Sequence, residues 1–412
     1  SIGEEALSAG EKDIKSKYYP ETGYYFYRSN WETNEAISAT WKMFKSGYSS
    51  RTHKHADDLS FMLYSKGYEI FTDPGMYNYM YGDRFREYFT SSSAHNTITV
   101  DEQSYSVTEE KRGNVGMLSC VTNGLFEVIT AFNDMYPGVS IDRQFISSGD
   151  LTILYDDIIS SKDLHRYRQL FHLSERMTIM ESSDDMVLMA ITNSGYRVRI
   201  RQMTPTAMSI HHGVDAPPLY GHISRTMGVI NDSDTLVFER NGVSLEYVTI
   251  ITIEDAMGNV VLQDGALVKS NDINYNPSNR CIKCADQYLK VMPRQRFNPK
   301  LKSVQVSIDD TISLEGERIE GGVVGFEIAD LKTGESVAKS ALKNTFAFKA
   351  DLSKFQTDLI VAMEVKKDGQ RKKKWVCALK YEEPQKRHRV ALGKEYKHIE
   401  EHFEKTGEIE LG

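Results

Sequence analysis

From Tyr24 to about residue 265 the chain offers one strand-like run after another and no convincing amphipathic helix, and this pattern restricts the fold more than any other feature. Segments such as YYFYR, AISATWKMF, LFEVITAF, SIDRQFI, LTILYDDII, RQLFHL, MVLMAIT, YRVRIRQM, TLVFER and SLEYVTIITI are rich in Tyr, Thr, Ile, Val and Phe and are interrupted by Asn, Asp and Gly. Side chains alternate between the two faces of a strand, so runs of this kind bury an apolar face by pairing and stacking as sheets. An all-β fold is predicted, with a large two-sheet antiparallel β-sandwich over residues 20–267. In YRVRIRQM the alternation sets Arg197, Arg199 and Arg201 on one face and Val198 and Ile200 on the other. The arginine face is expected to be solvated or to line a groove.

A chain of 412 residues is too long for one average domain. Residues 268–299 shift to an Asn- and Pro-containing composition and read as a poorly structured connector. Residues 300–381 then give a second, smaller β-sandwich of Ig-like kind, with Asp368-Gly369 as a hairpin turn carrying a basic tip. Residues 382–412 read as a charged tail with one short helix. Hydrophobic residues make up 40% and charged residues 26%, as in globular chains, and no apolar run is long enough to span a bilayer. The net charge of -8 argues against nonspecific nucleic-acid binding. The opening SIGEEALSAGEKDIK has no apolar core of the kind a signal peptide needs, so none is expected there. Cys120 and Cys377 read as small core residues, and Cys281 and Cys284 as either a local disulfide or two thiols.

Chemistry concentrates between Thr52 and Asp101. His53 and His55 are two apart, so on an extended strand they leave the same face, with Asp57 following at the same parity. Leu59–Tyr64 and Tyr68–Thr72 are predicted to form a hairpin through Ser65-Lys66-Gly67, and Asp73-Pro74-Gly75 to end its second strand. His95 opens a further strand, His95–Val100. Two histidines and an aspartate on neighbouring strands suit a divalent metal, zinc above all, and equally suit plain polar positions on a half-buried sheet. Arg51, Lys54, Arg84 and Arg86 can supply a local cationic groove for a polyanion, or be solvated charges. Asp57 and Asp58 are the candidates for a hydrolase's paired carboxylates, although adjacent strand residues point to opposite faces. His172, between Phe171 and Leu173, reads as structural, and His165, His211 and His212 have no partner pattern. P-loop, dinucleotide, G-x-S-x-G and H-E-x-x-H motifs are absent.

HKHADDLSF, FTDPGMY and SSSAHNTITVD occur in this order, flanked by TGYYFYRSNW and SIDRQFISSGDLTILYDDII. Together they resemble the C-terminal sheet domain of the heparinase II/III-like polysaccharide lyases, over roughly residues 20–260. The resemblance implies cleavage of a uronic-acid polysaccharide by β-elimination, a secreted, periplasmic or cell-surface setting, and an acidic polysaccharide as partner. Position by position it implies that His55, Asp73 and His95 hold a divalent metal, with Zn²⁺ expected, and that His53 faces the substrate. Tyr81, Arg84 and Arg86 are the candidates for substrate contact from the sheet side. In such lyases a helical toroid precedes the sheet domain and supplies a tyrosine acid/base and a carboxylate-binding asparagine. Residues 1–19 accordingly read as a linker or the remnant of a helical domain, and the chain alone is expected to be incomplete. A non-catalytic polysaccharide-binding or assembly module stands as the alternative.

Overall fold

The structure, a computed structural model, describes residues 15–391 apart from 32–36, 51, 161–162, 294–300, 317–321, 334, 344–345 and 368–369. It divides into two compact units, Ser1–Arg294 and Gln295–Gly412. In the first unit, β1 (Ser16–Tyr19), β2 (Tyr24–Arg28), β3 (Trp41–Lys45), β4 (Ser60–Ser65) and β5 (Tyr68–Phe71) pair in sequence order as one sheet. Helix α1 (Arg84–Thr90) and strand β6 (Ile98–Val100) follow. Strands β7 (Val115–Asn123), β8 (Phe126–Asn133), β9 (Val139–Ser148) and β10 (Leu151–Ser160) pair as consecutive neighbours. The chain continues as β11 (His165–His172), β12 (Met177–Ser183), β13 (Met186–Ile191), β14 (Arg197–Gln202), β15 (Ala207–His212), β16 (His222–Thr226), β17 (Val229–Asp232), β18 (Asp234–Gly242) and β19 (Ser244–Glu254).

These strands make two layers. One is an eight-stranded sheet ordered β12-β13-β14-β19-β10-β9-β8-β7. The other combines the five-stranded sheet with a four-stranded one, β15-β18-β11-β6, linked by a bridge between Phe71 and Leu173 and by the Thr72 amide donating to the His172 carbonyl at 3.0 Å. Period-2 alternation explains the core: Tyr25, Phe44 and Phe61 point inward and are at most 1% exposed, and Phe44 stacks on Phe145 of the opposite sheet at 5.0 Å. The hairpin between β4 and β5 forms as its turn chemistry requires, with Lys66 and Gly67 both at positive φ.

Strands β10 and β19 are apolar on both faces because both are covered. Leu154 and Ile158 lie in the sandwich core, whereas Leu151 and Ile153 belong to a second core on the far side, with Val260, Leu262, Ile273, Ile282 and Leu289. The stretch expected to be a poorly structured connector therefore folds as far as it is described. Residues 274–290 form a three-stranded sheet, in which Tyr275, Ile282, Cys284 and Leu289 are buried. Its apolar residues alternate in runs too short to read as strands, yet they close the back of the eight-stranded sheet. This covering also corrects the arginine face: Arg201 donates to the carbonyls of Ser270 and Ile273 at 2.7 and 2.6 Å, and Arg199 pairs with the buried Glu254 at 2.9 Å. Cys281 and Cys284 are three apart on one strand, so they project to opposite faces and remain free thiols.

The second unit contains a three-stranded and a five-stranded sheet around Ile312, Phe326, Val361 and Leu379. Its last strand, Arg387–Val390, falls within the stretch read as a tail, because buried His388 bonds Asp310 at 2.8 Å and the Thr357 carbonyl at 2.9 Å. The hairpin turn at Asp368-Gly369, residues 392–412 and residues 1–14 lie outside the described residues. Among the described residues no helix is long and apolar enough to cross a membrane.

Candidate functional site

The segment carrying His53 and His55 is irregular, with turns rather than a strand between β3 and β4. Its shape follows from Lys54, which turns inward to 2% side-chain exposure and pairs with Asp57 at 2.9 Å and Asp58 at 2.7 Å. Lys45 closes on Asp57 from the other side. Burial disfavours charge on Asp57, but Lys54 and Lys45 outweigh it and hold its carboxyl below the usual range. Asp58 also accepts from the Gly47 amide at 2.9 Å and the Tyr105 hydroxyl at 2.7 Å. Two aspartates committed in this way are poor acid/base candidates. Lys54 contributes to this buried ion cluster, not to a surface groove, and Arg51 lies outside the described residues.

With Lys54 turned in, His53 is left exposed and His55 half-buried. The His55 ring lies 5.5 Å from that of His95, and His95 Nδ1 lies 3.3 Å from the Asp73 carboxylate. His95 follows a short 3₁₀ turn and does not open a strand, since pairing begins only at Ile98. Its side chain is fully buried and neither ring nitrogen has an aligned hydrogen-bond partner. Burial, reinforced by His95, pushes the His55 imidazole down to about 4, so His55 is neutral near pH 7, the form that ligates metals. Among the described residues no three His, Cys, Asp or Glu side chains already enclose an ion position. The donor chemistry nevertheless fits a divalent metal: two imidazoles and a carboxylate on three segments, one imidazole with unsatisfied buried nitrogens.

Asp73 is held by its own turn. Its carboxylate accepts from the Gly75 amide at 3.0 Å, and Pro74 accepts from the Ser224 amide at 2.8 Å. Gly75 has φ +80, and a Cβ there would lie 2.2 Å from the Ser224 carbonyl oxygen, so only glycine fits this crossing.

Tyr81, Arg84 and Arg86 lie on or beside α1, a helix that alternation alone did not reveal. Asp83 caps it, accepting from the Phe85 and Arg86 amides at 2.9 and 3.0 Å. Tyr81 is 97% exposed, Arg86 lies over Tyr79 and Tyr81 at 5.4 and 5.9 Å, and Arg84 donates to the Asp215 carbonyl at 3.0 Å. No hydrogen bond, ion pair or ring contact among the described residues joins these three to His53, His55, Asp73 or His95. The structure thus gathers His55, Asp73 and His95, exposes His53 in the same segment as His55, and shows no direct contact between them and Tyr81, Arg84 or Arg86 among the described residues.

The family described as Heparinase II/III-like, C-terminal matches residues 11–228, more than half of the chain. The chain belongs to the heparinase II/III-like family. A heparin-sulfate lyase of Pedobacter heparinus is 27% identical over 135 residues, which is 32% of this chain and 19% of that protein. A heparin-sulfate lyase of Bacteroides stercoris is 22% identical over 205 residues, 47% of this chain and 28% of the relative. This heparinase II/III-like chain is thus matched to well under half of each relative's length. Among solved structures, heparan sulfate lyase HepC from Pedobacter heparinus has a TM-score of 0.51 at 18% identity, covering 62% of this chain and 42% of that one. A heparinase III gene product has a TM-score of 0.51 at 16% identity, covering 88% and 42%. At these identities the structural likeness establishes the fold.

Within that heparinase II/III-like fold, two residues that sequence reasoning passed over position the site. Asn96, 1% exposed, donates to the Phe61 and Thr72 carbonyls at 2.8 and 3.1 Å and accepts from the His172 amide at 2.6 Å. Arg143, wholly buried, pairs with Asp156 at 2.5 Å and donates to the carbonyls of Leu59 and Asn96 at 2.6 and 3.1 Å. Leu59 has φ +64, a conformation costing about 1 kcal/mol or more outside glycine, and burial together with Arg143 holds it there. A signal existed: Arg143 and Asp156 both fall at the inward parity of their strands, beside Ile141, Phe145, Leu154 and Ile158. His172 is wholly buried; its Nδ1 lies 3.1 Å from the Thr235 hydroxyl, its Nε2 has no hydrogen-bond partner among the described residues, and burial pushes the ring down to about 3.

Proposed function

We propose that this chain supplies the sheet half of a polysaccharide lyase that cleaves a uronic-acid-containing polymer by β-elimination. The observation carrying the proposal is the exposed His53 beside the half-buried His55, the exposed Asp73 and the buried His95, on a loop fastened by the Lys54 ion cluster. In β-elimination a base removes the proton on C5, an acid protonates the departing oxygen on C4, and positive charge or hydrogen-bond donors must meet the charge growing on the carboxylate. Imidazole can act in either capacity, and His53 is the exposed histidine of the group. His55, Asp73 and His95 would hold a divalent ion, with zinc the best chemical match. When bound, the ion would fix these three segments together. The ion's role is thus structural, and His53 is the residue left to meet the substrate. Tyr81, Arg84 and Arg86 would meet the polymer only if it spans from the histidines to α1.

The two curated relatives are named for heparin sulfate, so heparan-type polymers are the first to try, followed by other uronate polymers. A version of the chain carrying an N-terminal helical domain should release unsaturated products, detected by their absorbance. His53→Ala should lower that rate by roughly 10²- to 10⁴-fold while keeping fold and metal. Tight polymer binding with no unsaturated product would replace this proposal with the binding-module alternative.

A further inference from the structure

We infer that the outer face of the five-stranded sheet is a binding surface for an anionic oligosaccharide. The inward residues of β2 and β3 account for the core, but the outward ones are aromatic as well, where solvated strands normally carry polar residues. Phe26 and Trp41 face outward with ring centres 6.4 Å apart, and Tyr19 meets the Phe26 edge at 6.2 Å. Trp31, 41% exposed, lies beneath the Arg28 guanidinium at 4.6 Å. Together with Lys17 these residues line a groove of about 270 Å³. A second groove of about 500 Å³ shares Arg28 and Trp41 and carries the trough on across β4.

Rings set side by side on a twisted sheet offer flat apolar faces that suit the C–H faces of pyranose rings, while hydroxyls reach the rim. The rim is cationic: Lys17 is exposed and has no hydrogen bond or ion pair among the described residues, and Arg28 stands over Trp31. At the far end Glu69 and Glu175 share Arg225, at 2.6 and 2.8 Å, so the positive charge of the trough lies at its Lys17 and Arg28 end. This charge pattern favours carboxylate- or sulfate-bearing sugars over neutral ones. Trp41 and Lys45 lie on the same face of β3, about 13 Å apart at a strand's rise per residue, and Lys45 pairs with Asp57 in the His53 segment. The trough itself runs across the strands at the level of Arg28, Trp41 and Tyr64, so the candidate site lies to one side of it, along β3.

The inference rests on the uronate-polymer proposal for its choice of anion, so binding and cleavage are measured separately. This chain, without turnover, is titrated calorimetrically with size-defined heparan sulfate, chondroitin sulfate and alginate fragments, and with neutral cello-oligosaccharides. At least one anionic series should bind. Trp31→Ala and Trp41→Ala should each weaken it by roughly tenfold, and Lys17→Glu should weaken anionic ligands while leaving neutral ones unchanged. Lys17→Glu lies on the edge strand and Trp31→Ala outside any strand, so they keep the test sound if Trp41→Ala fails to fold. Wild-type affinity in folded trough variants, or no binding of any anionic fragment by the native chain, overturns the inference. So does a native dimer that Trp31→Ala dissociates, since the face would then join two copies. Product release by the longer version reports on the lyase proposal alone.

Discussion

Asn96 Nδ2 donates to the main-chain carbonyl of Thr72 at 3.1 Å, and this bond sets His95 against Asp73, because each is the immediate neighbour of one of the bonded residues. The spacing between an imidazole and a carboxylate on two separate segments thus depends on a side chain that is neither. Replacing Asn96 with Ala leaves the Thr72 and Phe61 carbonyls and the His172 amide without their partner. Unfolding in urea should show a loss of about 2–4 kcal/mol, together with weaker metal retention. A loss below about 0.5 kcal/mol, within the range of ordinary surface changes, would remove Asn96 from this role.

Arg143 makes a similar prediction from the opposite sheet. Arg143→Met removes the charge paired with Asp156 and strands that carboxylate in the core. Breaking a buried pair from one side costs about 3–5 kcal/mol, and the double change Arg143→Met with Asp156→Leu should be milder than the single one. A double mutant as unstable as the sum of both singles would show that the clamp on Leu59 and Asn96, and not the ion pair, dominates.

Metal content tests the donor set directly. Purified protein should carry about one zinc or similar ion per chain, as a three-ligand site would. A chelator should lower the melting temperature. His95→Ala should abolish both the metal and the chelator effect; unchanged elemental analysis would exclude His55, Asp73 and His95 as ligands.

Lys42 gives a pH signature outside the candidate site. It is fully buried, bonded to Ser147 at 3.0 Å and the Leu151 carbonyl at 2.7 Å; burial pushes it down to about 7, with Asp150 and Glu127 opposing. Its folded value lies below the unfolded one, so above about pH 7 the unfolded chain binds the extra proton and stability from this group rises with pH. Relative to Lys42→Met, the native protein should gain stability between pH 7 and 8.5, with a slope approaching 1.4 kcal/mol per unit at most. Keeping below pH 8.5 avoids the buried cysteines Cys284 and Cys377, pushed up to about 11 and about 12, which act in the opposite sense. A flat difference between the two proteins over that range would mean Lys42 keeps an ordinary value.

Strand identity, the antiparallel sandwich, the hairpin at Lys66-Gly67 and the turn at Asp73 were legible from residues 20–267, because alternation and turn chemistry are local properties written every two to four residues. The motif that carries the family resemblance also supplied His53, His55, Asp73 and His95 as candidates. The extended shape expected for His53–Asp57 was wrong, and the reason is tertiary: Lys54 folds inward onto Asp57 and Asp58 of its own segment, in a site completed by Lys45 and Tyr105, which arrive from other segments. The short runs between 268 and 293 gave no strand signal because their burial depends on the back of a sheet built earlier in the chain. Sequence by itself determined which residues alternate, turn and can ligate. Only the tertiary structure decided that Asn96 and Arg143 place them: parity turns Arg143 inward, but hydrogen bonds to the backbone of distant segments leave no period in the sequence.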